Sequence, residues 1–291
     1  MAKPLIELSE MESISPIFKG KAGHALARGL FHIFEIDKVQ KLYDGAYCED
    51  PADCAGRLVS GLDLKYTVQG EEHLASLPQG PFITISNHPI GSLDGVILVD
   101  YMRHKFPDYK LLVNQFLMRI EALRPSFISV VPTLEERTAP KAESVSGIRA
   151  AKEHLMAGHP LGLFPSGAVS DYVRGQRPTV TLADGSSYVE PQVRDREWQM
   201  PIIKFIRKVE VPVLPIRFFD GNSPSFYRIG NTLGWKVRTL RLPHEVMNKR
   251  GGCIRMGVGP LISVEQQRNC QTLAELRQLL RASVYSLECR V

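Results

Sequence analysis

The feature that most constrains this chain is a series of short, nearly continuous apolar runs, each ended by a turn signal and followed by residues at helical spacing. Phe82-Ile83-Thr84-Ile85-Ser86 opens the series and stops at Asn87-His88-Pro89. From Leu93 to Phe106, Leu93, Ile97 and Tyr101 share one helical stripe and Leu98 and Met102 another. Lys110 to Val113 and Ile128 to Pro132 read as further strands, and Ala142 to Ala157 as a helix stopped by Gly158. Leu161 to Phe164 and Val211 to Phe219 are two more apolar runs. Strands this apolar are buried on both faces, and strand–helix alternation lays them parallel with helices on either side. The expected fold class is therefore α/β, a mostly parallel sheet flanked by helices. Cys253 to Val258 adds a strand, and Ser263 to Leu287 reads as one closing helix. The two prolines of Val211-Pro212-Val213-Leu214-Pro215 predict an edge strand or an irregular strand end.

The chain before residue 80 is patterned differently. Gly23 to Phe34 carries a stripe at Leu26, Leu30 and Ile33, Asp53 to Leu62 reads as a second helix, and Leu64 to Val68 alternates as a strand does. The expected division is an N-terminal helical cap with a membrane-association role over 1–70 and the α/β domain over 71–291. Arg174 to Glu197 is polar and aperiodic, and is expected to be a long surface insertion.

Composition excludes several classes. With 44% hydrophobic and 23% charged residues in 291, the chain can bury a full core, so disorder is not expected. The longest apolar runs fall well short of the roughly 20 residues of a membrane-spanning helix. Met1 to Glu7 lacks the apolar stretch of a signal peptide, which predicts a cytoplasmic protein. The five cysteines, Cys48, Cys54, Cys253, Cys270 and Cys289, form no CxxC pair, so neither a disulfide framework nor a metal site is expected. The net charge of +5 suits an anionic lipid, an acidic carrier or nucleic acid without choosing among them.

The chemistry concentrates where buried strands end, the place where open α/β sheets bind ligands. In Asn87-His88-Pro89-Ile90-Gly91-Ser92-Leu93-Asp94-Gly95, a His in a tight turn sits near an Asp that can fix its tautomer and stabilise the imidazolium. Taken alone, the same residues are also explained by a turn in which Ser92 or Asp94 caps the following helix. After the next buried run comes Phe164-Pro165-Ser166-Gly167-Ala168-Val169-Ser170, whose small residues leave backbone N–H groups able to face a phosphate or an oxyanion.

In their order and spacing these blocks resemble the lysophospholipid acyltransferase superfamily. Its members carry Asn-His with a downstream Asp, then Phe-Pro-x-Gly-x-x-Ser, then Val-Pro-Val-x-Pro. Closer still is the branch labelled hemolysin-like, with Asn-His-Pro-x-Gly-x-x-Asp-Gly, which Asn87 to Gly95 fits throughout. Asp220-Gly221-Asn222-Ser223 and Arg241 to Gly251, of the form Arg-x-x-x-Glu-x-x-Asn-Lys-x-Gly, match further segments of that branch. The resemblance runs from about residue 60 to 262, and more loosely to both ends. It implies an O-acyltransferase of membrane lipid biosynthesis, acting on a lysolipid with an acyl carrier protein or coenzyme A thioester as co-substrate, and with no cofactor or covalent enzyme intermediate. His88 would be the general base and Asp94 its partner. Asn87, Gly91, Phe164, Pro165, Ser166, Gly167, Ser170 and Arg217 would contact substrate, with amides near Gly167 at the oxyanion. The implied place is the inner face of the cell membrane, reached peripherally through Leu26 to Phe34 or Asn114 to Ile120, and nucleic acid is not an expected partner.

Two departures from the superfamily bear on the acceptor. Five residues, Pro89 to Leu93, separate His88 from Asp94 where four are usual, as in the hemolysin-like branch. The third motif is Ser166-Gly167-Ala168-Val169-Ser170 where members acting on glycerol phosphate have Glu-Gly-Thr-Arg-Ser. Without that guanidinium fork, an amino-acid lipid such as an N-acylated glycine or ornithine becomes a candidate acceptor. Arg174, Arg177 or Arg217 would have to supply the cation for a phosphate. The alternatives are a membrane-binding, hemolysin-like protein and a non-catalytic lipid-binding module.

Overall fold

The computed structural model describes residues 4–5, 16–77, 79–130, 141–182, 185–233 and 235–289. Three helices lead in: α1 (Gly20–Ile33), α2 (Ile36–Ala46) and α3 (Pro51–Gly61). Local chemistry starts α3. The Asp50 side chain accepts from the N–H groups of Ala52 and Asp53 at 2.8 and 3.0 Å, and Pro51 takes the first turn, where no N–H is needed. Then β1 (Lys65–Gln69), which falls before the division expected at residue 70, pairs in parallel with β11 (Cys253–Val258) at the edge of the main sheet.

That sheet has seven strands in the order β1-β11-β10-β2-β5-β3-β4, where β2 is Ile83–Ser86, β3 Lys110–Asn114, β4 Phe127–Val130, β5 Leu161–Leu163 and β10 Val213–Phe218. Neighbours run parallel except β10 and β11, so the mostly parallel sheet expected from the apolar runs is present. Val131 and Pro132, the expected end of β4, lie outside the described residues. Besides a single turn at Glu72–Ala75, the α-helices between and after the strands are α4 (Ser92–Arg103), α5 (Lys141–Met156), α6 (Met200–Val209), α7 (Pro224–Leu233), α8 (Trp235–Leu240), α9 (Leu242–Met247), α10 (Val264–Asn269) and α11 (Leu273–Tyr285).

Both sheet faces are covered, as the unbroken apolarity of the strands requires. On one face α3 and α4 bury Leu58, Leu62, Ile97 and Leu98 with Leu111, Leu214 and Ile216. On the other, α6 and α11 bury Ile203, Ile206, Leu276 and Leu280 with Ile83, Ile85, Leu161 and Leu163. Each such side chain contributes about 1.5–3 kcal/mol by leaving water. Thr84, between Ile83 and Ile85, faces the other side and shares a 2.6 Å hydrogen bond with the Tyr109 hydroxyl. That ring crosses β5 so closely that a Cβ on Gly162 would lie 2.1 Å from the hydroxyl, which is why the strand carries glycine there.

Three expectations are corrected in whole or in part. Of the two alternatives for the proline-bearing strand, the edge is wrong: β10 is internal, with β2 on one side and β11 on the other. Its 213–215 end is irregular, the ladder to β11 covering only Ile216 to Phe218. Pro215 fits because β11 has already ended at Val258, and Pro215 needs only its carbonyl, which accepts from the Gly259 N–H at 2.9 Å. The closing helix is two helices, because Thr272 caps a new start, accepting from the Glu275 N–H at 3.1 Å. The 174–197 stretch is also more than a surface insertion. It contains an antiparallel pair, β7 (Thr179–Thr181) with β8 (Ser187–Val189), and β9 (Val193–Arg194), which pairs with β6 (Asp171–Tyr172). Glu190 and Asp195 within it are buried.

Candidate active site at the carboxyl ends of β2 and β5

Asn87 leaves β2 buried, and its amide behaves as a strand neighbour. Nδ2 donates to the Phe218 carbonyl at 2.9 Å and Oδ1 accepts from the Phe218 N–H at 2.8 Å. The expected substrate ligand is thus a clamp between the ends of β2 and β10. His88 follows with its side chain 17% exposed, stacked on Phe164 at 4.1 Å between ring centroids and 29° between planes.

The five-residue spacing resolves into a particular turn. Gly91 has φ 100° and ψ −133°, a conformation open to glycine, and it turns the N–H groups of Ile90 and Gly91 toward Asp94. Asp94 is fully buried, and its Oδ2 accepts from both amides, at 2.9 and 3.0 Å, and meets His88 Nδ1 at 3.0 Å. In this contact the carboxylate oxygen is the acceptor and Nδ1 the donor, so Nε2 is the ring nitrogen left to face other partners. The segments 220–223 and 241–251, with Tyr227, brace this turn. Asn222 Nδ2 donates to the Ile90 carbonyl at 3.1 Å and the Tyr227 hydroxyl to that of Pro89 at 3.3 Å. Buried Glu245 accepts from the N–H and hydroxyl of Ser223 at 2.8 and 2.6 Å, while Lys249 donates to the Gly221 carbonyl.

The second block closes over the first. Gly167, at φ 65°, donates its N–H to the Phe164 carbonyl at 3.0 Å, and the Ser170 N–H donates to the His88 carbonyl at 2.8 Å. Ser166 turns its hydroxyl onto the Ala168 carbonyl at 2.7 Å, and the Pro165 carbonyl accepts from the Gln199 N–H at 2.9 Å. The Gly167 amide is therefore already engaged within its own turn. The start of α4 instead brings the positive end of a helix dipole beside His88, with Ser92 on the cavity wall.

His88, Gly91, Phe164 and Gly167 line a cavity of about 180 Å³ whose other walls are largely apolar, among them Val96, Leu112, Phe127, Leu163 and Ile202. A larger groove of about 940 Å³, lined by Lys41, Arg57 and Arg250, does not include His88. Arg217 reaches neither: its Nη1 donates to the carbonyls of Tyr285 and Leu287, both at 2.5 Å, on the α11 face. Arg177 Nε donates to the Glu190 carbonyl at 3.1 Å, and Arg174 is exposed. The guanidinium that does reach the second block is that of buried Arg238, paired with Asp171 and 3.4 Å from the Val169 carbonyl. Asp195 also escaped the sequence reading. Its Oδ1 accepts from the His88 N–H at 3.1 Å, and burial pushes its carboxyl up despite the donors from Ser170, Trp198 and His88. Nothing in the polar run around it marks that residue; only the fold buries it.

A family model described as acyltransferase matches residues 51–291. The chain is similar to the lyso-glycine lipid O-acyltransferase of Phocaeicola vulgatus, 26% identical over 288 residues and covering 94% of each chain. It is similar also to the lyso-glycine lipid O-acyltransferase of Bacteroides thetaiotaomicron, 28% identical over 233 residues, 78% of this chain and 76% of that one. Among solved structures it is similar to the 1-acyl-sn-glycerophosphate acyltransferase PlsC from Thermotoga maritima, with 13% identity, 96% and 95% coverage and a TM-score of 0.46.

Proposed function

The chain belongs to the acyltransferase family, and on that premise we propose that it esterifies the hydroxyl of a lyso amino-acid lipid with a fatty acyl group taken from an acyl carrier protein or coenzyme A thioester. The observation that carries the reading is the His88–Asp94 pair at the head of an apolar cavity, with Nδ1 committed to Asp94 and Nε2 left to accept a proton. Nε2 takes the acceptor's hydroxyl proton as its oxygen attacks the thioester carbonyl. The tetrahedral oxyanion forms beside the α4 N-terminus. The carbon–sulfur bond then breaks, and the proton passes from His88 to the departing thiolate. The apolar walls suit the acyl chain.

An N-acylated glycine as acceptor is favoured by the uncharged 166–170 segment and by the curated relatives, both named for a lyso-glycine lipid. Approach to a bilayer is supported by exposed apolar side chains: Leu26 and Ile33 on α1 are 45% and 66% exposed, and Phe116, beside the cavity residues Asn114 and Leu117, is 52% exposed. No helix among the described residues is long and apolar enough to cross a membrane, so docking on the inner leaflet would be peripheral.

The test offers purified protein acyl carrier thioester or acyl coenzyme A with either a hydroxylated N-acyl glycine or lysophosphatidate, and reads the ester product by mass spectrometry. The glycine lipid is expected to be acylated and His88→Ala to abolish transfer. Preference for lysophosphatidate would overturn the acceptor, and full transfer by His88→Ala would overturn the base.

A further inference from the structure

Three segments remote in sequence meet at one buried carboxylate outside the His88–Asp94 pair. Asp195 Oδ1 accepts from the His88 N–H at 3.1 Å and from the Ser170 hydroxyl at 2.5 Å, and Oδ2 accepts from Trp198 Nε1 at 3.0 Å. Ser170 completes the ring, its own N–H donating to the His88 carbonyl at 2.8 Å. Both main-chain polar groups of His88 are thus held by the same two residues. Asp195 is seated in turn by its backbone, the N–H donating to the Tyr285 hydroxyl at 2.7 Å and the carbonyl accepting from Arg281 at 3.0 Å. Neither Asp195 nor Ser170 lines the cavity, and Ser170 is fully buried.

We propose that Asp195, acting with Ser170, is the positioning residue that sets where His88 points. Asp94 fixes the rotation of the ring; the place of Nε2 then depends on where the main chain of residue 88 sits. Proton transfer needs the partners within about 2.6–3.2 Å, and a displacement of about 1 Å loses roughly a hundredfold in rate. An acceptor-only side chain suits the spot because three donors converge on it. Trp198, held by the same carboxylate, precedes Gln199, whose side chain packs on Gly167 and lines the cavity. One residue therefore ties the base to a second part of the cavity wall, at Gln199 and Gly167. The inference rests on the reading of His88 as base.

The experiment compares Asp, Asn and Ala at position 195 in a Trp198→Phe background, measuring steady-state acyl transfer. Trp198→Phe removes the indole donor that an amide NH2 would oppose, so Asp195→Asn still offers an oxygen to His88 and Ser170. In that background Asp195→Asn is expected to keep kcat within about threefold and Asp195→Ala to lose about a hundredfold, with KM for both substrates held within about twofold. The acidic limb of kcat/KM against pH is expected to stay in place in the Asn variant. Ala matching Asp, Asn as poor as Ala, or a displaced limb in the Asn variant overturns the proposal. If Asp195→Ala does not fold, Asp195→Asn alone serves: a fall of about tenfold in kcat that Trp198→Phe rescues is expected, and absence of rescue overturns the proposal. Failure of the His88 reading has its own mark, full transfer by His88→Ala.

Discussion

In the proposed mechanism Asp94 has two separable duties, bracing the turn and stabilising the imidazolium of His88. Its Oδ2 accepts from the amides of Ile90 and Gly91 and from His88 Nδ1, while Oδ1 has no hydrogen-bond partner among the described residues. In Asp94→Asn, the two amide donors should hold the carboxamide oxygen at the Oδ2 position and leave the NH2 where Oδ1 was. The turn and the Nδ1–H tautomer then persist, and only the charge is lost. With charge centres about 4 Å apart and an effective dielectric near 20, the imidazolium–carboxylate attraction is about 4 kcal/mol, of which a neutral hydrogen bond retains about 1 kcal/mol. The missing 3 kcal/mol or so predicts a fall of about a hundredfold in kcat/KM. In Asp94→Ala the amides of Ile90 and Gly91 are orphaned as well, which costs roughly 2–6 kcal/mol of stability. Steady-state acyl transfer and urea denaturation on both variants check this: Asn should be slow but stable, Ala slow and unstable. Asp94→Asn as unstable as Asp94→Ala, or as active as the unaltered protein, would refute the reasoning.

Further outcomes follow from single contacts. Asn87→Ala strands the Phe218 N–H and carbonyl, so stability should fall by about 2–6 kcal/mol with KM unchanged; a raised KM at unchanged urea midpoint would make Asn87 a substrate ligand instead. Gly91→Ala forces an L-residue to φ 100°, a strain of about 1–3 kcal/mol. The Cβ meets only the tips of Leu242 and Val169, at 3.0 and 3.4 Å, so the protein should fold with a lowered melting temperature and reduced kcat. Burial raises the Asp195 carboxyl, so the unfolded chain ionises first. The native protein then loses stability as pH climbs from the ordinary aspartate range of about 3.9 through the raised folded value. Urea midpoints across pH should show Asp195→Asn lacking that decline, with the native protein at its relative best at the acid end.

Much of the architecture is legible in the chain because its determinants are local. Ile83 and Ile85, Leu111 to Val113 and Leu161 to Leu163 are apolar over the length of a strand, and no other placement hides both faces. The Asn87 to Gly95 string also carries its own geometry, since a glycine at position 91 is what allows two amides to turn onto Asp94. Acyl transfer was legible only through the resemblance carried by the ordered blocks, since the turn taken alone fits a helix cap equally well. What the chain could not disclose depends on partners far along it. Asn87 became a clamp because Phe218, 131 residues away, ends beside it. Asp195 gained its hold on His88 across 107 residues. Arg217 was drawn to the carbonyls of Tyr285 and Leu287 instead of the cavity, and Pro215 entered the sheet interior because β11 stops short of it. A hydrogen bond is specified by the position of two groups in space, and periodicity fixes which face a residue takes but not what the rest of the chain brings to meet it.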